Sequence, residues 1–170
     1  MIYMNIWSEK NKVVSVIAPS ADFAAGDVTS DIVDMANYKK LTFIVATGAT
    51  TVGKSTITVN AGISNASCAT QITFKYRTQI AAIPPAAGSD VSSALTAVTV
   101  AATGLAMTAS KSGGIYIVEV DADVVAAAGT LYDHVSITLT EDDSTAQIGC
   151  VLAILSEPRY PQDVLATAID

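Results

Sequence analysis

The run Lys54–Ala61, KSTITVNA, places Ser55, Ile57, Val59 and Ala61 on one side and Lys54, Thr56, Thr58 and Asn60 on the other. A period of two marks a β-strand, and a helix would need a period of 3.6. Thr, Ile and Val are stiff at χ1, which suits them to strands and makes them poor helix starters. This matters because Gly48–Ser55, GATTVGKS, matches the phosphate-binding loop G-x-x-x-x-G-K-[ST] at each defined position. In that loop the glycine-rich backbone and the lysine cradle phosphates, the Ser/Thr hydroxyl reaches Mg²⁺, and a helix begins at the Lys-Ser so that its positive end faces the anion. A strand in the helix's place removes that arrangement. Gly48, Gly53, Lys54 and Ser55 are therefore read as a coincidental match inside a β-hairpin. Leu41–Thr47 would pair with Lys54–Ala61 about a polar turn bracketed by glycines. A nucleotide-binding enzyme using this loop is the rival reading from a different class.

The rest of the chain continues the strand pattern. Val13–Ala18 is a first strand, followed by a loop at Pro19–Gly26 and an irregular acidic segment at Asp27–Met35. A long alternating strand then sets Cys68, Ile72, Phe74 and Tyr76 against Gln71, Thr73, Lys75 and Arg77. The paired prolines in Ile83–Ser89 mark a loop, since proline cannot join a ladder. Ser92–Ala102 and Leu105–Ala109 read as further strands, with a turn at Ser110–Gly114. Ile115–Val120 is nearly all apolar, as expected of a central strand covered on both sides. Asp121–Gly129 reads as a short helix with Asp121 as its cap and a closing glycine. Val135, Ile137 and Leu139 alternate with polar partners. In the last strand Ala146, Ile148, Cys150, Leu152 and Ile154 are taken as the inner face. Short strands at about ten-residue spacing with turns between them predict an all-β chain. The expected fold is one β-sandwich domain over 1–170, jelly-roll-like, with an N-terminal arm at 1–12, the sandwich at 13–155 and an extended C-terminal tail at 156–170.

Composition narrows the function. Of the 170 residues, 51% are hydrophobic and only 15% charged, with a mean hydropathy of +0.45. An assembly subunit whose faces are covered by partners shows such a balance. No apolar run reaches the roughly 18–20 residues of a spanning helix, and Met1–Lys12 lacks the apolar core of an export signal, so no membrane partner is expected. A net charge of −7 without a basic stripe argues against direct binding to nucleic acid. Cys68 and Cys150 lack metal spacing and are read as inert thiols.

Candidate chemistry is thin. His134, the lone histidine, has Asp133 beside it and Ser136 on its strand face, but nothing sets this group apart from an ordinary strand histidine. Glu119, Asp121 and Asp123 lack the glycine and closing glutamate of a calcium loop. Glu141-Asp142-Asp143 reads as a solvated turn. Ile115–Asp121 imitates the apolar strand ending in aspartate that follows a phosphate-binding loop, yet the helices such an enzyme needs between parallel strands are missing from the pattern. No catalytic, cofactor-binding or metal residue is expected.

Three stretches carry a resemblance: Ile117–Ala122 (IVEVDA), Tyr132–Leu139 (YDHVSITL) and Ala153–Gln162 (AILSEPRYPQ), joined by Thr42–Gly48 (TFIVATG). Together they are similar to small tailed-bacteriophage proteins encoded beside the major capsid protein. The resemblance covers about half the chain and implies a virion structural protein, a head decoration or cement protein that stabilises the shell. A tail or head–tail connector component is the alternative. It implies the major capsid protein as partner, the capsid surface as location and synthesis in the bacterial cytoplasm, and it transfers no site residue. The apolar excess predicts a homo-oligomer, a trimer ahead of a dimer. Tyr3, Ile6 and Trp7 in the arm and Arg159, Tyr160 and Leu165 in the tail are the expected partner contacts.

Overall fold

The chain is an all-β sandwich of two antiparallel sheets with one short helix. The computed structural model describes residues 6–48, 54–80, 92–99, 101–107, 114–160 and 165–169. In chain order the first strands are β1 (Lys12–Ser20), β2 (Val28–Thr29), β3 (Val33–Asp34) and β4 (Tyr38–Thr47). They are followed by β5 (Ser55–Gly62), β6 (Thr70–Ile72), β7 (Phe74–Ile80), β8 (Thr96–Val98) and β9 (Leu105–Ala106). β10 (Gly114–Asp121), helix α1 (Ala122–Ala128), β11 (His134–Glu141) and β12 (Gly149–Pro158) complete the set. Sheet I has the order β1-β12-β4-β10-β7-β8, and sheet II the order β2-β11-β5-β6, with β3 also on β11 and β9 on β5. The chain passes repeatedly from one sheet to the other, so most pairings join strands distant in sequence.

The core lies between the sheets. Sheet I contributes Leu41, Phe43, Val45, Tyr116, Val118, Val151 and Leu155, and sheet II contributes Ile57, Val59, Val135, Ile137 and Leu139, all 2% exposed or less. Val125 on α1 and Ala168 near the C-terminus are also buried there. The tail segment 165–169 is tied on by polar contacts. The Lys12 ammonium donates to the Ala166 carbonyl at 2.6 Å, and the Asp34 amide donates to the Ala168 carbonyl at 2.9 Å.

Several sequence expectations need correction. Leu41–Thr47 and Lys54–Ala61 do not form a hairpin: β4 pairs with β10 and β12 in sheet I, and β5 pairs with β11, β6 and β9 in sheet II. Phe43 from one strand and Ile57 from the other are buried from facing sheets. The long strand around Ile72 divides at Thr73. Ile72 pairs with Val59 in sheet II and Phe74 with Val98 in sheet I. Ser92–Ala102 keeps only Thr96–Val98 as strand, and the irregular segment before β4 holds β2 and β3. Asp121 precedes α1 but makes no cap hydrogen bond. Its carboxylate takes the Lys40 ammonium at 2.5 Å, which holds that ammonium's pKa above its ordinary value through the hydrogen bond and the charge.

The face of β12 is the correction with functional weight. The buried residues are Gly149, Val151, Ala153 and Leu155, not Cys150, Leu152 and Ile154. Both sets are apolar, so parity could not say which one faced the core. The inner slot opposite Phe43 holds Ala153, because the phenyl ring already fills it. β10 is likewise covered on one side only. Tyr116, Val118 and Val120 point inward, and Ile115 and Ile117 lie half-buried on the other face.

Candidate functional site: the outer face of sheet I

Cross-strand partners share a face of a sheet, so the register sets out the outer surface row by row. One row runs Cys150–Ala46–Ile115, the next Leu152–Ile44–Ile117, with Ser15 beside Leu152 at the β1 edge. A third runs Val13–Ile154–Thr42–Glu119 and on to Lys75. Ile44, Ile115, Ile117, Leu152 and Ile154 are half-buried, shielding one another while their outer surfaces meet solvent, and Val13 is 48% exposed. Four strands at about 4.8 Å and three rows give a face of roughly 300 Å², apolar except for Ser15, Thr42 and Glu119, comparable to the largest patch on a typical monomer, which is often functional. Charge stands at two margins: Lys75, Arg77 and Glu119 on β7 and β10, and the exposed Lys40–Asp121 pair in the next row beyond Ile154–Thr42–Glu119.

The outer face of sheet II is built differently. Thr56, Thr58, Asn60, Ser136, Thr138 and Thr140 occupy the corresponding positions. Thr138 hydrogen-bonds Thr29 at 3.0 Å and accepts from the Asn60 amide at 3.0 Å. Thr56, Asn60, Thr138 and Thr140 are partly open to solvent, whereas Thr58 and Ser136 are buried, with Gly104 close to Thr58 and Cys68 close to Ser136, so this face is polar but partly covered by the chain itself. Sheet I departs from that polar pattern on the three strands with the longest runs of pairing, β4, β10 and β12.

The arm lies at the β1 edge of the same sheet. Ile6 and Trp7 are 46% and 56% exposed, and a short 3₁₀ turn at Trp7–Glu9 leads into β1. Among the tail residues expected to meet a partner, Tyr160 is 64% exposed, Leu165 packs against the chain's own core, and the Arg159 guanidinium donates to the Tyr38 carbonyl at 3.3 Å. Tyr3 and Gly53 fall outside the described residues. Sequence reasoning missed the sheet face: Leu152 and Ile154 were placed on the inner side of the last strand, and Ile115–Val120 was read as covered on both sides.

The phosphate-loop match has its groups committed elsewhere. The Gly48 amide donates to the Ile148 carbonyl at 2.8 Å, and a Cβ on Gly48 would meet the Ile148 side chain at 2.9 Å. The Ser55 hydroxyl, 1% exposed, donates to the buried Gln147 side chain at 2.8 Å. Lys54 is exposed, and a strand follows it. The helix that would face a phosphate is replaced by β5.

Two other groupings have chemistry to consider. Asp34, Asp133 and His134 lie close enough for one cation, but the His134 Nδ1 is hydrogen-bonded to Asp133 at 2.5 Å. Ser136 Oγ is fully buried beside the Cys68 thiol and makes no hydrogen bond to His134, so His134 does not activate it. Beside it, burial pushes the Cys68 thiol up to about 11, the nearby Asp133 adding to the shift against the Ser136 hydroxyl. Such a thiol is a poor nucleophile. A cleft of about 370 Å³ opens near Lys39, Lys40, Asp121, Asp123, Glu157 and Arg159. Three cations against three carboxylates leave it near neutral, without the field that would gather a charged ligand.

Structure comparison finds the crystal structure of the SPBc2 prophage-derived protein YomS, with a TM-score of 0.44 and 10% identity over 86% of this chain and 93% of that one. No protein-family model matches the chain, and no curated protein matches it.

Proposed function

We propose that this chain is a structural protein of a tailed-phage virion, of the head decoration or cement type, which binds the shell and stabilises it without catalysis. The observation that carries this reading is the contrast between the partly open positions of the two outer faces: those of sheet II (Thr56, Asn60, Thr138, Thr140) are polar, and those of sheet I are apolar. A face of about 300 Å² formed by Ile44, Ile115, Ile117, Leu152 and Ile154, with charge only at its margins, matches the core-and-rim layout of a protein interface. The phage assignment rests on the sequence resemblance at Ile117–Ala122, Tyr132–Leu139 and Ala153–Gln162. Those stretches form β10 with the start of α1, β11, and β12 with the residues after it, so what they share with that group is scaffold. The major capsid protein is the proposed partner on the particle.

The experiment is addition of the purified chain to heads that lack it, followed by sedimentation of the particles and their thermal stability. Saturable binding that raises the temperature of shell rupture is expected. Binding only to tails or connectors would move the chain to another part of the virion. Micromolar ATP binding abolished by Lys54→Ala would replace the structural reading by an enzymatic one.

A further inference from the structure

We infer that Asp34, Asp133 and His134 form a binding site for one divalent transition-metal cation of the zinc class, which clamps β3 to β11 on the outer face of sheet II.

The fold brings these groups together from two separate stretches of chain. Asp34 and His134 are direct cross-strand partners on β3 and β11, so their side chains share a face of the sheet. Asp133 stands just before β11, and its carboxylate meets the His134 imidazole at Nδ1. One ligand atom from each of the three residues lies within 4.8 Å of the other two. The backbone beneath them is fixed. The Asp34 amide donates to the Ala168 carbonyl at 2.9 Å, the Met35 amide to the Asp133 carbonyl at 2.8 Å, and the Asp133 amide to the Gly62 carbonyl at 3.2 Å. The Ala36 amide donates to Asp34 Oδ1 at 2.7 Å and orients that carboxylate, as outer partners of metal ligands do.

The local charge favours a cation. Two carboxylates against one imidazole leave the group net negative in either form of the ring. Among the described residues, no lysine or arginine is paired with Asp34 or Asp133. The negative field reaches the Tyr38 hydroxyl, whose pKa burial and then the Asp34 charge hold above its ordinary value. The His134 side chain is only 13% exposed, and Asp133, at 42%, leaves an entry from solvent.

The ligand set selects the ion. One imidazole nitrogen with two carboxylate oxygens suits zinc or a similar ion, whereas calcium and magnesium prefer oxygen alone. Zinc bonds at tetrahedral angles set neighbouring ligand atoms about 3.4 Å apart. The contact between Nδ1 and Asp133, at 2.5 Å, is a proton's width and not a metal's. The cation takes that proton's place, the proton leaving for solvent or for Nε2, and the half-exposed Asp133 carboxylate swings out by about 1 Å. A fourth position is left to water. The ladder between β3 and β11 is only two pairs long, Val33–Val135 and Asp34–His134. An ion shared by both strands adds a cross-link there, and through the Asp34 amide it steadies the segment 165–169.

His134 is the only histidine, so its ring signals in NMR report this site alone. The full chain, treated with EDTA and dialysed free of it, is titrated with Zn²⁺ and, in parallel, with Ca²⁺ and Mg²⁺. Calorimetry, ring NMR and thermal melts follow the binding. One zinc per chain is expected, with the His134 signals moving to a bound position at one equivalent. At free zinc about a hundred times Kd, Tm should rise by roughly 5–10 °C. Asp34→Asn and His134→Ala should each weaken binding at least about tenfold. His134→Asn serves as the milder variant if circular dichroism shows that His134→Ala disturbs β11.

The Cys68 thiol lies near Asp133, so Cys68→Ala is the control for a thiol site and should keep its zinc affinity. No binding with zinc in large excess over the chain, or binding that leaves the His134 signals in place, would overturn the site. Affinity lost in Cys68→Ala and kept in Asp34→Asn would move the ion to a thiol and overturn it equally. A tighter response to Ca²⁺ or Mg²⁺ than to Zn²⁺ would refute the class of ion.

Discussion

Leu155 and Ile154 are neighbours on β12, and replacing each by alanine should have sharply different consequences. Leu155 is fully buried opposite Leu41, and Ile154 lies half-buried on the outer face opposite Thr42. Leu155→Ala removes core contacts and leaves a cavity, for which about 3 kcal/mol is expected. In a chain of this size that lowers Tm by roughly 6–12 °C. Ile154→Ala removes three carbons at ~0.8 kcal/mol each, at most about a third of whose surface is already in water, and leaves no enclosed cavity, so about 1.5 kcal/mol is expected. The assay is urea unfolding followed by circular dichroism, with both variants and the parent dilute enough to be monomeric. Equal costs, or a larger cost at Ile154, would refute the assignment of the inner and outer faces on which the interface reading depends.

Cys68 gives a pH test. A thiol ordinarily titrating at 9.0 is pushed up to about 11 in the fold. The folded state therefore holds its proton more tightly than the unfolded chain. Stability should fall as pH rises from 9 towards 11, and Cys68→Ala should flatten that slope in pH-dependent melts. At pH 8 the same shift leaves about a hundredfold less thiolate than an unperturbed cysteine, so slow maleimide labelling at Cys68 is expected. A Cβ at position 149 would lie 2.7 Å from the Ala46 carbonyl and 2.8 Å from the Phe23 ring. Gly149→Ala should therefore lower the urea midpoint by forcing β12 off β4, at a cost of about 1–3 kcal/mol. Asp121→Asn breaks the exposed pair with Lys40 and should cost under about 1 kcal/mol in the same assay, less at high salt.

What the sequence made legible follows from which signals are local. The alternation of Val135, Ile137 and Leu139 with polar neighbours identified β11 and its inner face correctly, because one side of that strand is polar. Period two after Lys54 gave β5 and removed the phosphate-loop helix. The same signal said nothing of partners. β4 and β5 were joined as a hairpin since they are consecutive, whereas the fold separates them and buries Phe43 and Ile57 from facing sheets. On β12 both faces are apolar, so alternation carried no direction, and the bulkier set was placed inside. The outer face of sheet I was hidden because an apolar outer face and a core face are written in the same residues.

The most direct test of the proposed role is a reconstruction of an intact tailed-phage virion whose genome carries this sequence. The account predicts this sandwich on the outer surface of the head, with Ile44, Ile117 and Leu152 of sheet I buried in a protein contact and Thr56, Thr138 and Thr140 of sheet II outside it. A particle without the chain, or one that carries it with the sheet I face open to water, would contradict the account.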